Sequence, residues 1–219
     1  MPDDDPPNPA AKLLASKRQW ARDGRLLTGT TSDPTQTRLP PGQRLVQDWP
    51  VLDLGAQPDI APDRFRLDID GAVRRPISLR LPEFMALPQR DSTSDIHCVT
   101  QWSRYDNAWR GVAAATLLAL VDPLDTAHHV ILHASDGYTT NLHRTQFDQP
   151  DVFLVHSWNN TPLDRNHGGP VRALVPRFYL WKSAKWINRI EFSVHDKPGF
   201  WERNGYHNNA DPWLEERYS

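Results

Sequence analysis

The sequence has few of the residues from which proteins commonly build covalent or metal sites, and cysteine is the scarcest. Cys98 is the only cysteine among 219 residues. One cysteine cannot form an intramolecular disulfide. It also excludes multi-cysteine zinc sites, iron–sulfur clusters and C-x-x-C-H haem attachment, which all need two or more thiols. A lone cysteine is most often a small buried hydrophobic residue, so Cys98 by itself indicates no chemistry.

Long apolar runs and a strong charge of one sign are also missing. No apolar segment approaches the roughly 20 residues that a membrane-spanning helix needs. The N-terminal residues have neither the positive start nor the apolar stretch of a signal peptide. The formal net charge of -2 at pH 7 argues against nucleic acid or an anionic membrane as the main partner. We therefore expect a cytoplasmic protein that binds neither nucleic acid nor membrane.

The signatures of several large enzyme classes are absent as well. There is no G-x-G-x-x-G after a predicted strand, no G-x-x-x-x-G-K followed by Ser or Thr, no H-E-x-x-H and no G-x-S-x-G. Rossmann dinucleotide binding, P-loop chemistry, zincin proteolysis and α/β-hydrolase catalysis therefore lack their usual motifs. His129 and His133 are four residues apart, but in a strand they lie about 13 Å apart and cannot chelate one metal together.

Proline and apolar content divide the chain into a tail and one domain. Residues 1–40 are rich in proline and poor in large apolar side chains. This composition predicts an extended tail or linker, with one short helix at Ala11–Gly24. Residues 41–219 have the composition of one folded domain, which is long enough to bury a full core without disulfides.

Short strands alternate irregularly with a few short helices in this domain. Phe65–Gly71 alternates strictly between apolar and polar residues, which predicts a half-buried strand. Helices are predicted at Pro82–Leu87, where proline and glutamate suit a first turn, and at Ala113–Val121. Further strands are predicted at Pro76–Leu79, Ile96–Val99, His129–Ala134, Val152–Trp158, Val171–Val175 and Ile187–Val194. This mixture, without regular βαβ units, indicates an α+β domain.

Three segments concentrate side chains that chemistry can use. In the first, His97–Arg104, the thiolate of Cys98 is soft enough to ligate a metal that a cofactor otherwise holds. In the second, Ser135–Asn141, Tyr138 suits a proton donor or a hydrogen-bond clamp on an oxyanion. An ordinary Asp-Gly turn followed by a strand explains this second segment as well.

The third segment joins His167–Arg172 to Phe178–Trp186. Its two consecutive glycines let backbone N–H groups approach a ligand closely. An arginine fork, lysine ammonium groups and a serine hydroxyl nearby suit a phosphate. Each of the three segments is a weak signal alone. In the third, for example, a Gly-Gly-Pro turn before a strand is structural in most proteins.

In this order and spacing, the three segments closely resemble the molybdopterin-binding domain of the sulfite oxidase family. In particular they resemble its short, stand-alone oxidoreductases, and the resemblance extends from about Leu39 to Tyr218. The motifs that carry it are His97–Thr100, Asp136–Asn141, His167–Pro170, Trp181–Trp186 and Pro198–Glu202. The resemblance implies an α+β fold with a mixed, barrel-like β-sheet and short helices in a single domain. It also implies molybdenum and molybdopterin as cofactors.

The resemblance also implies roles for individual residues. Cys98 corresponds to the cysteine whose thiolate ligates molybdenum, and Tyr138 to a tyrosine near the exchangeable oxygen position of the metal. Arg104, together with Tyr138, is the candidate for orienting a polar substrate. The residues expected to bind the cofactor are His97, Cys98, Ser135, Tyr138, His167, Arg172, Ser183, Ala184 and Lys185.

Two departures from the family pattern change what is expected. Val46–Trp49 stands before Pro50 where the family often has a cofactor contact, so that contact is altered or lost. Arg104 follows the cysteine later than the arginines of sulfite oxidases proper, so their substrate anion pocket is not matched. We therefore expect a small oxo or sulfur compound as substrate. We also expect no haem in this chain, and electron transfer to a separate partner.

These features predict an oxidoreductase that carries out two-electron oxygen-atom transfer at molybdenum. The alternative is a non-catalytic molybdenum-cofactor-binding or carrier protein of the same fold. A cofactor-free thiol enzyme, with Cys98 as nucleophile and His97 as base, is disfavoured. Adjacent residues of a strand point to opposite faces of the sheet, which places these two side chains badly for that reaction.

Overall fold

The computed structural model describes Gln19 and residues 38–219. Except for Gln19, the helix predicted at Ala11–Gly24 lies outside the described residues. The domain boundary near residue 40 stays a prediction. Among the described residues, no helix is long and apolar enough to cross a membrane.

The described part of the chain forms short strands, short α-helices and one 3₁₀ turn. In chain order the strands and helices are β1 (Arg44–Leu45), β2 (Arg66–Gly71), β3 (Ile77–Arg80), α1 (Leu81–Ala86), β4 (Gln89–Cys98), β5 (Trp102–Ala113), α2 (Ala114–Val121), β6 (His129–Ala134), β7 (Thr139–His143), α3 (Arg144–Phe147), β8 (Phe153–Trp158), β9 (Thr161–Pro162), β10 (Arg172–Leu174), β11 (Ile187–Ser193) and α4 (Phe200–Arg203). The 3₁₀ turn, Leu180–Lys182, lies between β10 and β11.

The strands form two mixed sheets. One sheet has the order β1-β5-β8-β10, with β4 paired to β5 and β9 paired to β8; the other has the order β3-β2-β11-β6-β7. The β1–β5 and β2–β11 pairs are parallel. The α+β class, the single domain and the short helices are thereby confirmed. Within the described residues each sheet ends in edge strands and neither closes on itself, so the fold is a pair of open sheets and the barrel-like expectation is corrected.

Strand β2 forms the half-buried strand that its alternating sequence predicts. Leu67 and Ile69 are fully buried, whereas Asp68 is partly exposed and accepts a hydrogen bond from Ser78 of β3. Strand β11 lies between β2 and β6 and buries Phe192 in the same core. Burying a side chain of this kind contributes roughly 1.5–3 kcal/mol, so the inner faces of the sheets supply much of the stability.

Most predicted elements are present, with their ends shifted by a few residues. The helix predicted at Ala113–Val121 begins one residue later, and the strand predicted at Val171–Val175 shortens to β10. Most of the long β4–β5 hairpin was not predicted, because the strand predicted at Ile96–Val99 covers only the end of β4. Residues Gln89–Asp95 are polar and show no apolar periodicity. They form a strand because they pair with β5.

Strand β5 approaches β8 very closely at Gly111. A Cβ atom at this position would lie 2.1 Å from the carbonyl oxygen of Leu154. The register of the ladder also shifts between Arg110 and Gly111. Only glycine leaves room for such an approach. The contact fixes β5 against β8 near the C-terminal end of β5.

We expect Gly111→Ala to lower the free energy of unfolding by about 2–4 kcal/mol, because the two strands must separate to admit the methyl group. Gly55→Ala is the control. Nothing lies within 4 Å of the Cβ position of Gly55, although its φ of 95° disfavours a side chain. We therefore expect Gly55→Ala to lower the free energy of unfolding by only about 1 kcal/mol. Chemical denaturation of the metal-free protein measures both values. Equal losses in the two variants would contradict the steric explanation.

Candidate active site

A cavity lies at the end of the β4–β5 hairpin, where segments distant in the sequence meet. The three segments that the sequence analysis selected line it together with an N-terminal segment and two C-terminal aromatic residues. The lining comprises Trp49–Leu54, Cys98–Thr100, Trp102, Asp136, Tyr138, Asn166, His167, Arg172, Leu180, Trp181, Ser183–Trp186, Trp201 and Tyr206. Segments that are weak signals separately therefore belong to one site.

Cys98 is the last residue of β4 and lines the cavity. Only 6% of its surface is exposed, and it pairs directly with Trp102 across the β4–β5 ladder. The hydroxyl oxygen of Thr100 lies 3.1 Å from its Sγ atom. The one cysteine of the chain is thus in the wall of the cavity, beside a hydroxyl group, where its thiolate can act as a metal ligand.

Arg172, the first residue of β10, is a buried cation. It is 4% exposed, and its guanidinium donates to the carbonyl oxygens of His167 and Ser183, each at 2.8 Å. It also lies over the ring of Trp49, 5.1 Å from the centroid. Among the described residues no carboxylate forms an ion pair with it. Burial lowers the pKa of Arg172 to about 9, so the side chain stays charged at neutral pH.

A buried charge of this kind favours an anionic ligand. Burial of an unpaired cation is costly unless an anion compensates it. A phosphate matches the planar guanidinium through two parallel hydrogen bonds. Lys185 lines the same cavity and donates from Nζ to the carbonyl oxygen of Asn166 at 2.8 Å. The site therefore carries two cations that suit a phosphate-bearing ligand.

The loop before β10 is held by His167, which also lines the cavity. Its Nδ1 atom lies 2.9 Å from Asp164, and its Nε2 atom lies 3.1 Å from the carbonyl oxygen of Trp49. The imidazole stacks on the Trp49 ring, with 4.2 Å between the centroids. The segment before Pro50, for which the sequence predicts an altered or lost contact, therefore still reaches the cavity, through Trp49.

Ser183 and Ala184 follow the 3₁₀ turn and line the cavity. The Ser183 hydroxyl accepts a hydrogen bond from the N–H of Val175 at 2.9 Å. The carbonyl oxygen of Ala184 accepts one from the N–H of Ala173, also at 2.9 Å. These bonds tie the turn to β10, so its backbone keeps a fixed position against the cavity.

Tyr138, just before β7, lines the cavity with a buried ring. Its hydroxyl donates to the carbonyl oxygen of Trp181 at 2.5 Å. Burial raises the pKa of Tyr138 well above its usual value, and the charge of Glu202 acts in the same direction. The phenol is therefore protonated at neutral pH. Glu202 itself forms a buried ion pair with Lys182, at 2.7 Å.

Arg104 and Ser135, which the sequence analysis assigned to the site, do not line the cavity. The Arg104 guanidinium lies over the Trp158 ring and donates to the carbonyl oxygen of Gln47 at 2.9 Å. Ser135 lines a separate depression on the five-stranded sheet, and the next residue, Asp136, lines the cavity instead. The Arg104 side chain is thus held by Trp158 and Gln47 outside the cavity lining. The turn after β6 directs the side chains of Ser135 and Asp136 to different sides, so only Asp136 reaches the cavity.

His97 also lies outside the cavity lining. It directly precedes Cys98 in β4, and adjacent residues of a strand face opposite sides of the sheet. Its Nδ1 atom lies 2.8 Å from the hydroxyl oxygen of Ser103, its partner across the ladder. Burial lowers the pKa of His97 to about 4. The imidazole is therefore neutral at neutral pH and is engaged with Ser103 instead of the thiol.

Six aromatic residues outside the predicted set also form part of the wall: Trp49, Trp102, Trp181, Trp186, Trp201 and Tyr206. Trp102 is fully buried, and its indole N–H has no hydrogen-bond acceptor among the described residues. The sequence contains nine tryptophans, and large aromatic residues are as common in cores as in sites. No local pattern therefore distinguishes the tryptophans of the cavity from those of the core.

The chain matches a known family over most of its folded part. Residues 54–201 match the family described as the oxidoreductase molybdopterin binding domain. The chain belongs to this family. It is a molybdopterin-binding oxidoreductase, and the family resemblance, the enzyme class and the molybdenum–molybdopterin cofactor expected from the sequence are confirmed.

Individual relatives of this molybdopterin-binding oxidoreductase agree with the family assignment. It is 41% identical over 195 residues to the uncharacterized oxidoreductase YuiH of Bacillus subtilis, and the match covers 87% of this chain and 98% of that one. It is 26% identical over 179 residues to the sulfite oxidase of Gallus gallus, covering 68% of this chain and 39% of that one. The sulfane dehydrogenase SoxCD from Paracoccus pantotrophus, at 15% identity, has the same fold, with a TM-score of 0.62 over 82% of this chain and 53% of that one.

The residues of the cavity fit the cofactor of the family. Molybdopterin carries a phosphate and many hydrogen-bond acceptors. The buried guanidinium of Arg172 has no carboxylate partner, and the buried N–H of Trp102 has no acceptor, among the described residues. A phosphate-bearing ligand in this cavity would compensate the charge and supply the acceptor.

We expect Arg172→Met to lower the molybdenum content per chain about tenfold or more, because methionine fills a similar volume without the charge that a phosphate needs. Arg172→Lys keeps the charge but loses the planar fork, and should retain an intermediate content. Arg177→Met, at the surface, is the control. Metal analysis of protein from a molybdopterin-producing host measures all three. A folded Arg172→Met protein with wild-type metal content would remove Arg172 from the site.

Proposed function

We propose that this protein carries out two-electron oxygen-atom transfer to or from a small, neutral oxo or sulfur compound, with the Cys98 thiolate as the protein ligand of molybdenum. One observation carries the proposal. The only cysteine of the chain lines the same cavity as a buried guanidinium that has no carboxylate partner among the described residues. A metal ligand and a phosphate site therefore face one space.

The cofactor-holding residues follow from the lining of the cavity. Arg172 and Lys185 would bind the phosphate. The backbone of Ser183 and Ala184 would hold the pterin, and the loop before β10, which contains His167, would lie beside it. When bound, the molybdenum cofactor supplies the two-electron oxygen-atom transfer itself. The protein supplies position, a surrounding of low polarity, and a thiolate whose environment tunes the metal.

Tyr138 contributes a neutral hydroxyl to a wall that is otherwise largely apolar. Its proton is directed at the carbonyl oxygen of Trp181. Rotation of this proton about the C–O bond lets the hydroxyl donate to the oxygen of a bound substrate instead. Because the pKa of Tyr138 is well above its usual value, the group stays a neutral donor and stabilises charge that develops on that oxygen.

The charges of the cavity support a neutral substrate. Its cations Arg172 and Lys185 belong to the segments that would hold the cofactor. Two carboxylates of the lining, Asp53 and Asp136, remain for the substrate to meet. Burial raises the pKa of the Asp136 carboxyl, and the nearby Asp53 acts in the same direction. The guanidinium of Arg104 is engaged outside the lining. An anion such as sulfite would meet these carboxylates without a further cation to compensate it.

The electrons of the reaction would pass to or from a separate electron-transfer protein. The cytoplasmic location stays a prediction.

A carrier role remains the second candidate, because it uses the same cavity and differs only in the absence of turnover. A thiol enzyme has little support, since the His97 ring is engaged with Ser103 and its pKa is lowered to about 4.

Replacing Cys98 with serine tests the metal ligand. The two side chains differ by one atom, so we expect a folded protein that loses the thiolate-to-metal absorption band and about a hundredfold or more of its turnover. Optical spectra, metal content and dye-coupled turnover of the wild-type and Cys98→Ser proteins are compared. Turnover in Cys98→Ser that equals the wild type would refute the assignment. Bound molybdenum in the wild type, with no turnover for any oxygen donor or acceptor, would favour the carrier role.

The substrate charge is tested by comparing sulfite with a neutral dialkyl sulfoxide. We expect kcat/KM for the sulfoxide, with a reduced dye as electron donor, to exceed kcat/KM for sulfite, with an oxidised dye as acceptor, by about tenfold or more. Replacing Asp53 and Asp136 with asparagine should raise the value for sulfite, because two negative charges leave the cavity. A preference of the unaltered protein for sulfite would contradict the neutral-substrate proposal.

A further inference from the structure

We propose that Thr100 is a positioning residue whose hydroxyl donates a hydrogen bond to the Cys98 sulfur and thereby sets the reduction potential of the metal bound there. This inference rests on the proposed function, because it takes Cys98 as the metal ligand. It adds a residue that no motif selected for such a role.

The contact itself is direct and buried. The Oγ1 atom of Thr100 lies 3.1 Å from the Sγ atom of Cys98, and the two residues are 4% and 6% exposed. Both line the cavity. A metal-binding thiolate carries no proton, so in that state the hydroxyl must be the donor of this bond.

The backbone turn explains why the hydroxyl lies at the sulfur. Residues 98–101 form the turn between β4 and β5, closed by a hydrogen bond from the Gln101 N–H to the Cys98 carbonyl oxygen at 3.0 Å. Gln101 has a φ of 66°, the left-handed conformation that ends a three-residue hairpin loop. For a residue other than glycine this conformation costs roughly 1–2 kcal/mol. Other contacts must therefore hold the turn.

Remote segments supply those contacts by binding the carbonyl oxygens of the turn. The side chain of Gln43 donates to the Cys98 carbonyl at 3.2 Å, and the Arg217 guanidinium donates to the Val99 carbonyl at 3.0 Å. The N–H of Arg44 donates to the Gln101 carbonyl at 2.9 Å. The turn is thus held from outside the cavity. The alignment of Thr100 with the sulfur is therefore built into the fold.

A hydrogen bond of this kind has a defined effect on a metal. A donor draws electron density from the thiolate, which then stabilises the oxidised metal less. The reduction potential rises as a result, as it does for other sulfur-ligated metals with donors to the sulfur. Loss of the hydroxyl should lower the potential and move the thiolate-to-metal absorption to lower energy, because the sulfur becomes easier to oxidise.

Two substitutions separate the hydroxyl from the shape of the side chain. Thr100→Val has nearly the same volume and no hydroxyl, whereas Thr100→Ser keeps the hydroxyl and loses a methyl group. Thr93→Val makes the same chemical change at an exposed position of β4 and serves as the control. All variants are purified with cofactor from the same host, and their metal contents are recorded.

The measurement is a potentiometric titration of the loaded protein, followed by the optical absorption of the metal site. At a fixed ambient potential we expect the ratio of oxidised to reduced metal to be about tenfold higher in Thr100→Val than in the wild type. The absorption band should shift to lower energy in the same variant. Thr100→Ser and Thr93→Val should keep the wild-type ratio and band.

Three results would overturn the proposal. One is a Thr100→Val protein with an unchanged ratio, and another is a Thr100→Ser protein that changes as much as Thr100→Val. The third is complete loss of metal from Thr100→Val with full metal in Thr100→Ser, which would give Thr100 a role in loading instead. The Cys98→Ser spectrum separates these results from failure of the proposed function. If the band survives in Cys98→Ser, the sulfur is not the ligand, whatever Thr100 does.

Discussion

The arrangement of the cavity depends on one buried charge, the guanidinium of Arg172. It binds carbonyl oxygens of His167, in the loop before β10, and of Ser183, after the 3₁₀ turn, so a single side chain ties two separate segments together. Because no carboxylate among the described residues compensates its charge, the arrangement is most favourable with an anion in the cavity. A cofactor that binds only the folded protein then also stabilises it. Folding of the site and binding of the cofactor are therefore linked.

A second buried cation, Lys182, is compensated by a carboxylate of the protein itself. The Lys182 ammonium group lies 2.7 Å from the Glu202 carboxylate, and the two side chains are 1% and 2% exposed. Glu202 also accepts hydrogen bonds from Thr140 and Trp181. This pair is compensated within the protein, whereas Arg172 is not. Lys182 also lies outside the cavity lining, so Arg172 is the buried cation that a bound phosphate would compensate.

Cys98 takes its position from segments at both ends of the described chain. Gln43 donates to the carbonyl oxygen of Cys98, and Arg217 donates to that of Val99 in the turn that follows. A cysteine held by such long-range contacts would keep its place while the cavity is loaded. This rigidity is what a site needs if the neighbours of the sulfur, such as Thr100, are to tune a bound metal.

Local patterns were sufficient for β2, β6 and α2, because the apolar spacing within an element depends on that element alone. The resemblance to the sulfite oxidase family grouped Cys98, Tyr138 and Arg172 into one kind of site, since the order of motifs along the chain needs no coordinates. Only the tertiary structure decided where polar side chains point. The Gln47 carbonyl that holds Arg104 lies 57 residues away in sequence. Hydrogen-bond partners at such separations leave no trace in a local pattern, so the polar strand β4, the direction of Arg104 and the tryptophans of the cavity became visible only in the folded chain.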